Sequence, residues 1–180
     1  MFNEKVGAAD ALAAGLSMRS QIAEVTRAPA FGFKVECVGA DGKVKWVEEF
    51  HNLVTTGGKN SLLDIYFDAA TQITAWYLGL KGTGSAAAGD TLASHAGWAE
   101  VTPYAGNRPA ITFGEPSAGS LAASSAVSYA ITGSATVAGA FIASANTGTT
   151  GTLYSAGDFS ASRDVVNGDT LNVTPTVSVS

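Results

Sequence analysis

The order of apolar and polar positions divides this chain into segments of different period. Over residues 31–53, Phe33, Val35 and Cys37 alternate with Lys34, Glu36 and Val38, and Val44, Trp46 and Glu48 alternate on the way back. Alternation on both sides of Asp41-Gly42 predicts a β-hairpin, because that dipeptide suits a tight turn. Thr55-Thr56-Gly57-Gly58 breaks the strand. Leu62, Leu63, Tyr66 and Phe67 then recur at helical spacing and predict a short amphipathic helix over residues 60–67, packed on the sheet. Ile73, Ala75, Tyr77 and Gly79 alternate with Thr74, Trp76, Leu78 and Leu80. Both sets are largely apolar, which predicts a strand covered on both faces.

Residues 73–113 organise the middle of the chain. After the strand, Gly82, Gly84 and Gly89 predict a loop, and Asp90 caps one helical turn ending near Gly97. Strands are predicted over residues 98–104 and 108–113, separated by Ala105-Gly106-Asn107. Beyond Phe113, short runs at 126–132, 136–143, 151–155 and 170–179 are split by Gly, Ser, Thr and Asn, the pattern of a sandwich or barrel. Gly133-Ser134 predicts a tight hairpin pairing Val127, Tyr129 and Ile131 with Val137, Gly139 and Phe141. Residues 144–150 read as a polar, exposed loop, and Pro175 as an edge strand or the end of pairing.

The N-terminal segment has no strand pattern. Leu12, Leu16, Arg19, Ile22 and Ala23 recur at helical spacing and predict a helix over residues 8–25, weakened at Gly15. Its narrow stripe cannot bury much alone, so Leu12, Leu16, Met18 and Ile22 are expected to dock on a partner. The chain therefore divides into an arm, residues 1–30, and a β body, residues 31–180.

Composition sharpens this division. Hydrophobic residues make up 46% of the 180, enough for a full core, while charged residues are only 14%. An ordinary soluble protein carries roughly 25% charged residues, so this surface suits a chain packed against neighbours in an assembly. Net charge is −5, and Lys5, Arg19, Arg27, Lys34, Lys43 and Lys45 crowd the first quarter. No basic stripe with interleaved aromatics is present, which argues against nucleic-acid binding. Cys37 is the one Cys, which excludes an intrachain disulfide, and its apolar strand predicts a buried structural thiol. No apolar run approaches the roughly 20 residues of a membrane-spanning helix. The first residues lack the basic-then-apolar order of a signal peptide, so folding in the cytoplasm is expected.

Candidate chemistry is sparse. His51 and His95 are the two His, no Gly-x-Ser-x-Gly elbow accompanies them, and no phosphate loop, dinucleotide fingerprint or His-rich metal frame occurs. His95, before Gly97, is read as a cap of backbone carbonyls. Glu100 and Glu115 are the acids that could flank a glycosidic bond. The stronger expectation is a cross-strand ion pair between Glu100 and Arg108. Trp46, Trp76 and Trp98 are read as core anchors, and as a sugar platform only if exposed together. Trp98 and Arg108 are expected to face each other across a hairpin, guanidinium over indole. Gly-Asp-Thr-Leu occurs at residues 89–92 and 168–171. Asp90 and Asp169 could be calcium ligands, but such a site needs six or more oxygens, so a turn held by the carboxylate is the favoured reading. No metal or cofactor is expected.

One resemblance adds to these readings. Asn52-Leu53-Val54-Thr55-Thr56-Gly57-Gly58, then Leu62-Leu63 and Ala75-Trp76-Tyr77-Leu78-Gly79-Leu80, resemble small virion proteins of tailed bacteriophages. So do Gly89-Asp90-Thr91-Leu92-Ala93-Ser94-His95, Gly97-Trp98-Ala99-Glu100-Val101, Tyr104, Arg108-Pro109, Gly151-Thr152-Leu153-Tyr154 and Asn167-Gly168-Asp169-Thr170-Leu171. The resemblance spans residues 31–179 and lies in the order of the motifs, each being a turn or strand signal. It implies a mainly β, antiparallel β-sandwich, jelly-roll-like, with one short packed helix and a partly helical N-terminal arm. It also implies a non-enzymatic head decoration (cement) protein that binds the major capsid protein and copies of itself as an oligomer on the virion, without nucleic acid or membrane. A tail-associated or fibre-attachment protein is the alternative, and a glycan-acting or glycan-binding module a more distant one.

Overall fold

Residues 30–178 are described in the computed structural model, and strands are their main regular structure. In chain order these are β1 (Ala30–Val38), β2 (Val44–Val54), the helix α1 (Thr56–Phe67), β3 (Trp76–Lys81), β4 (Glu100–Val101), β5 (Ala110–Ile111), β6 (Ser120–Ala122), β7 (Val127–Ala130), β8 (Ala135–Ala143), β9 (Leu153–Val165) and β10 (Thr170–Ser178). The helix expected over residues 8–25, with Leu12, Leu16, Met18 and Ile22, lies outside the described residues. Ala30, assigned to the arm, already pairs with Ser178 in β1.

The chain is mainly β and antiparallel. Its strands run in the order β4-β3-β8-β9-β2-β1-β10-β6, with β5 also on β3 and β7 also on β10. The long β2 makes the bend: residues up to His51 pair with β1, whereas Asn52, Leu53 and Val54 pair with β9. This change of partner curls the sheet into a half-barrel and brings its ends together. Tyr104 bridges Ile131, Phe113 bridges Ala123, and the buried Tyr129 hydroxyl donates to the Leu78 carbonyl at 2.8 Å.

The concave side holds the main core, including Phe33, Val35, Cys37, Leu78, Leu80, Val137, Ile142, Val165, Leu171 and Val173. Each large aliphatic side chain buried there contributes about 1.5–3 kcal/mol before entropy costs. A smaller core of Leu92, Trp98, Phe141, Ala143, Leu153 and Ala156 lies on the other face of β8 and β9. Period-two alternation in β8 serves both, with Ala140 and Ile142 in one core and Phe141 and Ala143 in the other.

Gly79 stands opposite Phe141 in the β3–β8 register, and a Cβ on Gly79 would run into the Phe141 ring. Gly79→Ala is expected to cost about 1–3 kcal/mol by overpacking, read as a lower urea midpoint at unchanged slope.

The β1–β2 hairpin turns where the sequence predicts. Gly42 has φ 76°, its N–H donates to the Gly39 carbonyl at 2.9 Å, and Asp41 Oδ1 accepts from the Lys43 N–H at 3.1 Å. Elsewhere the structure corrects the expectations. The β7–β8 hairpin does not form: β7 pairs with β10, and β8 lies between β3 and β9. The reason is burial, since Val137 to Ala143 is covered on both faces and needs a strand on each side, while β7 alternates buried and exposed. Residues 90–97 form no helix. Thr91 and Ser94 instead exchange backbone hydrogen bonds at 2.9 and 3.2 Å, and Asp90 binds other groups. The strands expected at 98–104 and 108–113 shrink to two residues each, while β9 runs for 13 residues, well past Ser155. Pro175 lies where β10 passes from β7 to β6, and its carbonyl accepts from the Ala123 N–H at 2.9 Å. There its missing N–H interrupts no ladder.

The helix differs most. It starts at Thr56, because the Thr55 side chain caps it by accepting from the Gly58 N–H at 3.0 Å. The same hydroxyl donates to the Leu153 carbonyl at 2.5 Å, anchoring the first turn to β9. Gly58 is the buried residue of α1, set so close to the Tyr154 carbonyl that no Cβ would fit. The helix is thus fixed by its first turn, and the expected packing of its apolar stripe on the sheet is not found.

Candidate functional site

The end of α1 away from its cap presents Leu63, Tyr66 and Phe67 at 53%, 80% and 78% exposure. The Tyr66 and Phe67 rings meet edge-on at 5.1 Å. Beside this face an apolar groove of about 290 Å³ opens at the end of the half-barrel, between α1 and the sheet. Leu62 and Ile65 form one wall, and Trp76, Phe113, Leu121 and Val177 another. Exposed apolar side chains grouped in this way make this face the candidate for contact with another surface.

The polar residues singled out in the sequence sit elsewhere, in clusters that tie loops to the sheet. Arg108, 7% exposed, donates from Nε and Nη2 to the two Glu100 oxygens at 2.8 and 2.7 Å. Its remaining donors reach the Ala145 and Gly148 carbonyls at 2.9 and 3.0 Å, so the loop over residues 144–150 is largely exposed, as expected, and is also tied down by Arg108. The cleft beside Glu100 holds about 80 Å³, and Glu115 does not line it. Glu100 and Glu115 therefore do not line this cleft together as paired carboxylates. Burial pushes the nearby Tyr104 hydroxyl up to about 12, with the Glu100 charge acting in the same direction.

Trp98 and Arg108 do not stack on each other. The Arg108 guanidinium lies 5.2 Å from the Phe141 ring centre, and the Lys81 ammonium lies 5.6 Å from that of Trp98. The Trp98 indole N–H donates to Asp90 Oδ2 at 2.8 Å, and its ring stacks on His95 at 4.0 Å. His95 Nδ1 is 3.0 Å from the Trp98 carbonyl, which makes it a clasp on this loop rather than a helix cap. Trp76 packs on Tyr154 and Trp46 on Phe159, both against the main core, while Trp98 lies in the smaller one, so the three indoles form no shared platform.

The two Gly-Asp-Thr-Leu copies build the same turn. Asp90 Oδ2 accepts from the Ala87 N–H at 2.9 Å, and Asp169 Oδ2 from the Val166 N–H at 3.0 Å, each three residues upstream. Asp169 adds Lys45 Nζ at 2.7 Å and Cys37 Sγ at 3.9 Å, whereas Asp90 takes the indole. Among the described residues no three His, Cys, Asp or Glu side chains gather as metal ligands. Burial, with the Asp169 charge, pushes the Cys37 thiol up to about 11, so it stays protonated at neutral pH.

Sequence reading missed two buried charges. Lys81 is fully buried, with Nζ 2.7 Å from Asp158 Oδ1 and the Gly82 and Gly84 carbonyls beside it. Its Asp158 contact is an ion pair more than an aligned hydrogen bond. Glu48, 7% exposed, accepts from the Ser160 N–H at 2.8 Å and Arg163 Nη2 at 3.0 Å. The available signal was a charge placed inside an apolar alternation, which must find a partner when buried.

Two of these carboxylates set an acid limit. For Glu48, hydrogen bonds from Ser160 lead in lowering the pKa, outweighing burial, with Arg163 adding to them. For Asp169, burial pushes upward, but Lys45 and the Val166 N–H together outweigh it and the pKa falls. A lowered folded pKa gives stability that is present above the unfolded values, about 4, and is lost as pH falls through the folded ones. Thermal melts are expected to hold from pH 7 to about 5 and to fall below about 4. Asp169→Asn should lower the plateau and flatten that fall.

No family model matches the chain, and no curated protein matches it either. Among the described residues, no helix is long and apolar enough to cross a membrane.

Proposed function

We propose that this protein is a non-enzymatic virion structural protein, a decoration or cement protein that binds the major capsid lattice. On this reading the two halves of the curled sheet are the faces of a jelly-roll-like β-sandwich, and copies of the chain lie side by side on the virion. The observation that carries it is the exposed face of α1, where Leu63, Tyr66 and Phe67 project from a chain only 14% charged. Burying each of those side chains on a neighbour would contribute about 1.5–3 kcal/mol, multiplied in effect by the many copies on a lattice. Leu12, Leu16, Met18 and Ile22 of the arm would add a second attachment.

Purified tailless heads stripped of this protein supply the test, with co-sedimentation as the measure. The intact chain is expected to rebind, and Tyr66→Asp with Phe67→Asp to lose binding while melting as the parent does. Failure of the intact chain to bind heads, with binding to tails instead, would replace this reading by the tail-associated one. Equal binding by the double variant would remove α1 from the contact.

A further inference from the structure

The groove beside α1 reaches the main core, because Ile142 and Tyr154, both buried, also line it. Its rim is half-buried apolar surface, contributed by Trp76, Phe113, Leu121 and Val177. A volume of about 150 Å³ accommodates a benzene-sized apolar group, so the 290 Å³ here suits two aliphatic side chains.

The position of β1 points to their source. Ala30 pairs with Ser178 and Phe31 with Val177, and Val177 lines the groove. The preceding chain therefore enters the fold at the groove's edge. Five residues upstream of Ala30 stands Val25, and three before that Ile22. Residues three apart share a helix face, and five residues of extended chain span about 17 Å.

We infer that the groove is the docking site for this chain's own residues 22–25, with Ile22 and Val25 as its two aliphatic occupants. The arm then has two parts. Its proximal end belongs to the body, which reassigns Ile22 from the attachment stripe, and Leu12, Leu16 and Met18 remain for a partner. Docking within one chain is favoured over exchange because the tether holds the segment at high effective concentration.

Cross-linking in the full-length chain tests this. Val25→Cys is combined with Leu121→Cys in the groove, or with Val44→Cys at the start of β2, opposite Val38, as a control, and each is oxidised gently. The expected result is a disulfide within monomers of the groove pair, seen by non-reducing electrophoresis and intact mass, and none in the control. In a second variant, Ile22→Asp, uptake of a hydrophobic fluorescent dye should rise. A disulfide-linked dimer of the groove pair would give the site to a second copy's arm and overturn the inference. So would equal cross-linking of both pairs, or unchanged dye uptake. All three readouts use the free protein and are independent of binding to heads.

Discussion

Trp98→Ala is expected to cost about 3–5 kcal/mol, the range for removing a large aromatic from a packed core. The indole is 6% exposed and centres the smaller core, against Phe141 at 5.2 Å and alongside Leu92 and Leu153. Its removal also takes the indole N–H from Asp90, the stacking face from His95 and the ring beneath Lys81. Trp98 shares the anchoring of the loop between β3 and β4 with the buried Leu92 and with the Ala88 carbonyl, which accepts from the Thr56 N–H at 2.7 Å. At about 2–4 °C per kcal/mol for a chain of this size, the melting temperature should drop by roughly 6–20 °C. Trp98→Phe keeps an aromatic ring but loses the pyrrole portion with its N–H donor, so it should recover part of the loss. A Trp98→Ala protein that melts with the parent would show that the loop is held by other contacts.

Asp158→Ala is expected to be comparably damaging, at about 3–5 kcal/mol, because it leaves a buried charge without its partner. Lys81 is fully buried, whereas the Asp158 side chain is 39% exposed, so the cost falls mainly on the lysine. A second substitution separates this cause from simple loss of packing. In the Lys81→Met, Asp158→Ala double variant the orphaned charge is gone, and the protein should be more stable than Asp158→Ala alone. Chemical denaturation of the four proteins gives the coupling directly. Additive losses would mean that the pair does not act as a unit.

Local chemistry in the sequence determined the elements whose partners lie close along the chain. Alternation around Asp41-Gly42 sufficed for the β1–β2 hairpin, since one turn sets its register. The Gly-Asp turns, the Glu100–Arg108 pair and the burial of Cys37 were legible for the same reason: short-range geometry or a single apolar strand dictates them. Tertiary structure decided what depends on distant partners. Whether β8 pairs with β7 or lies between β3 and β9 turns on two-sided burial, which periodicity reports only as an apolar run. Lys81 reads as a strand end until β9 brings Asp158 to it, 77 residues on. The helix shows the limit most clearly. Its apolar spacing was visible, but the side that meets the sheet was chosen by Thr55 and Gly58 against the β9 backbone. That contact turned Tyr66 and Phe67 to the outside and left the groove beside them, because a few close backbone contacts can fix a helix whose own amphipathic stripe then faces a different neighbour.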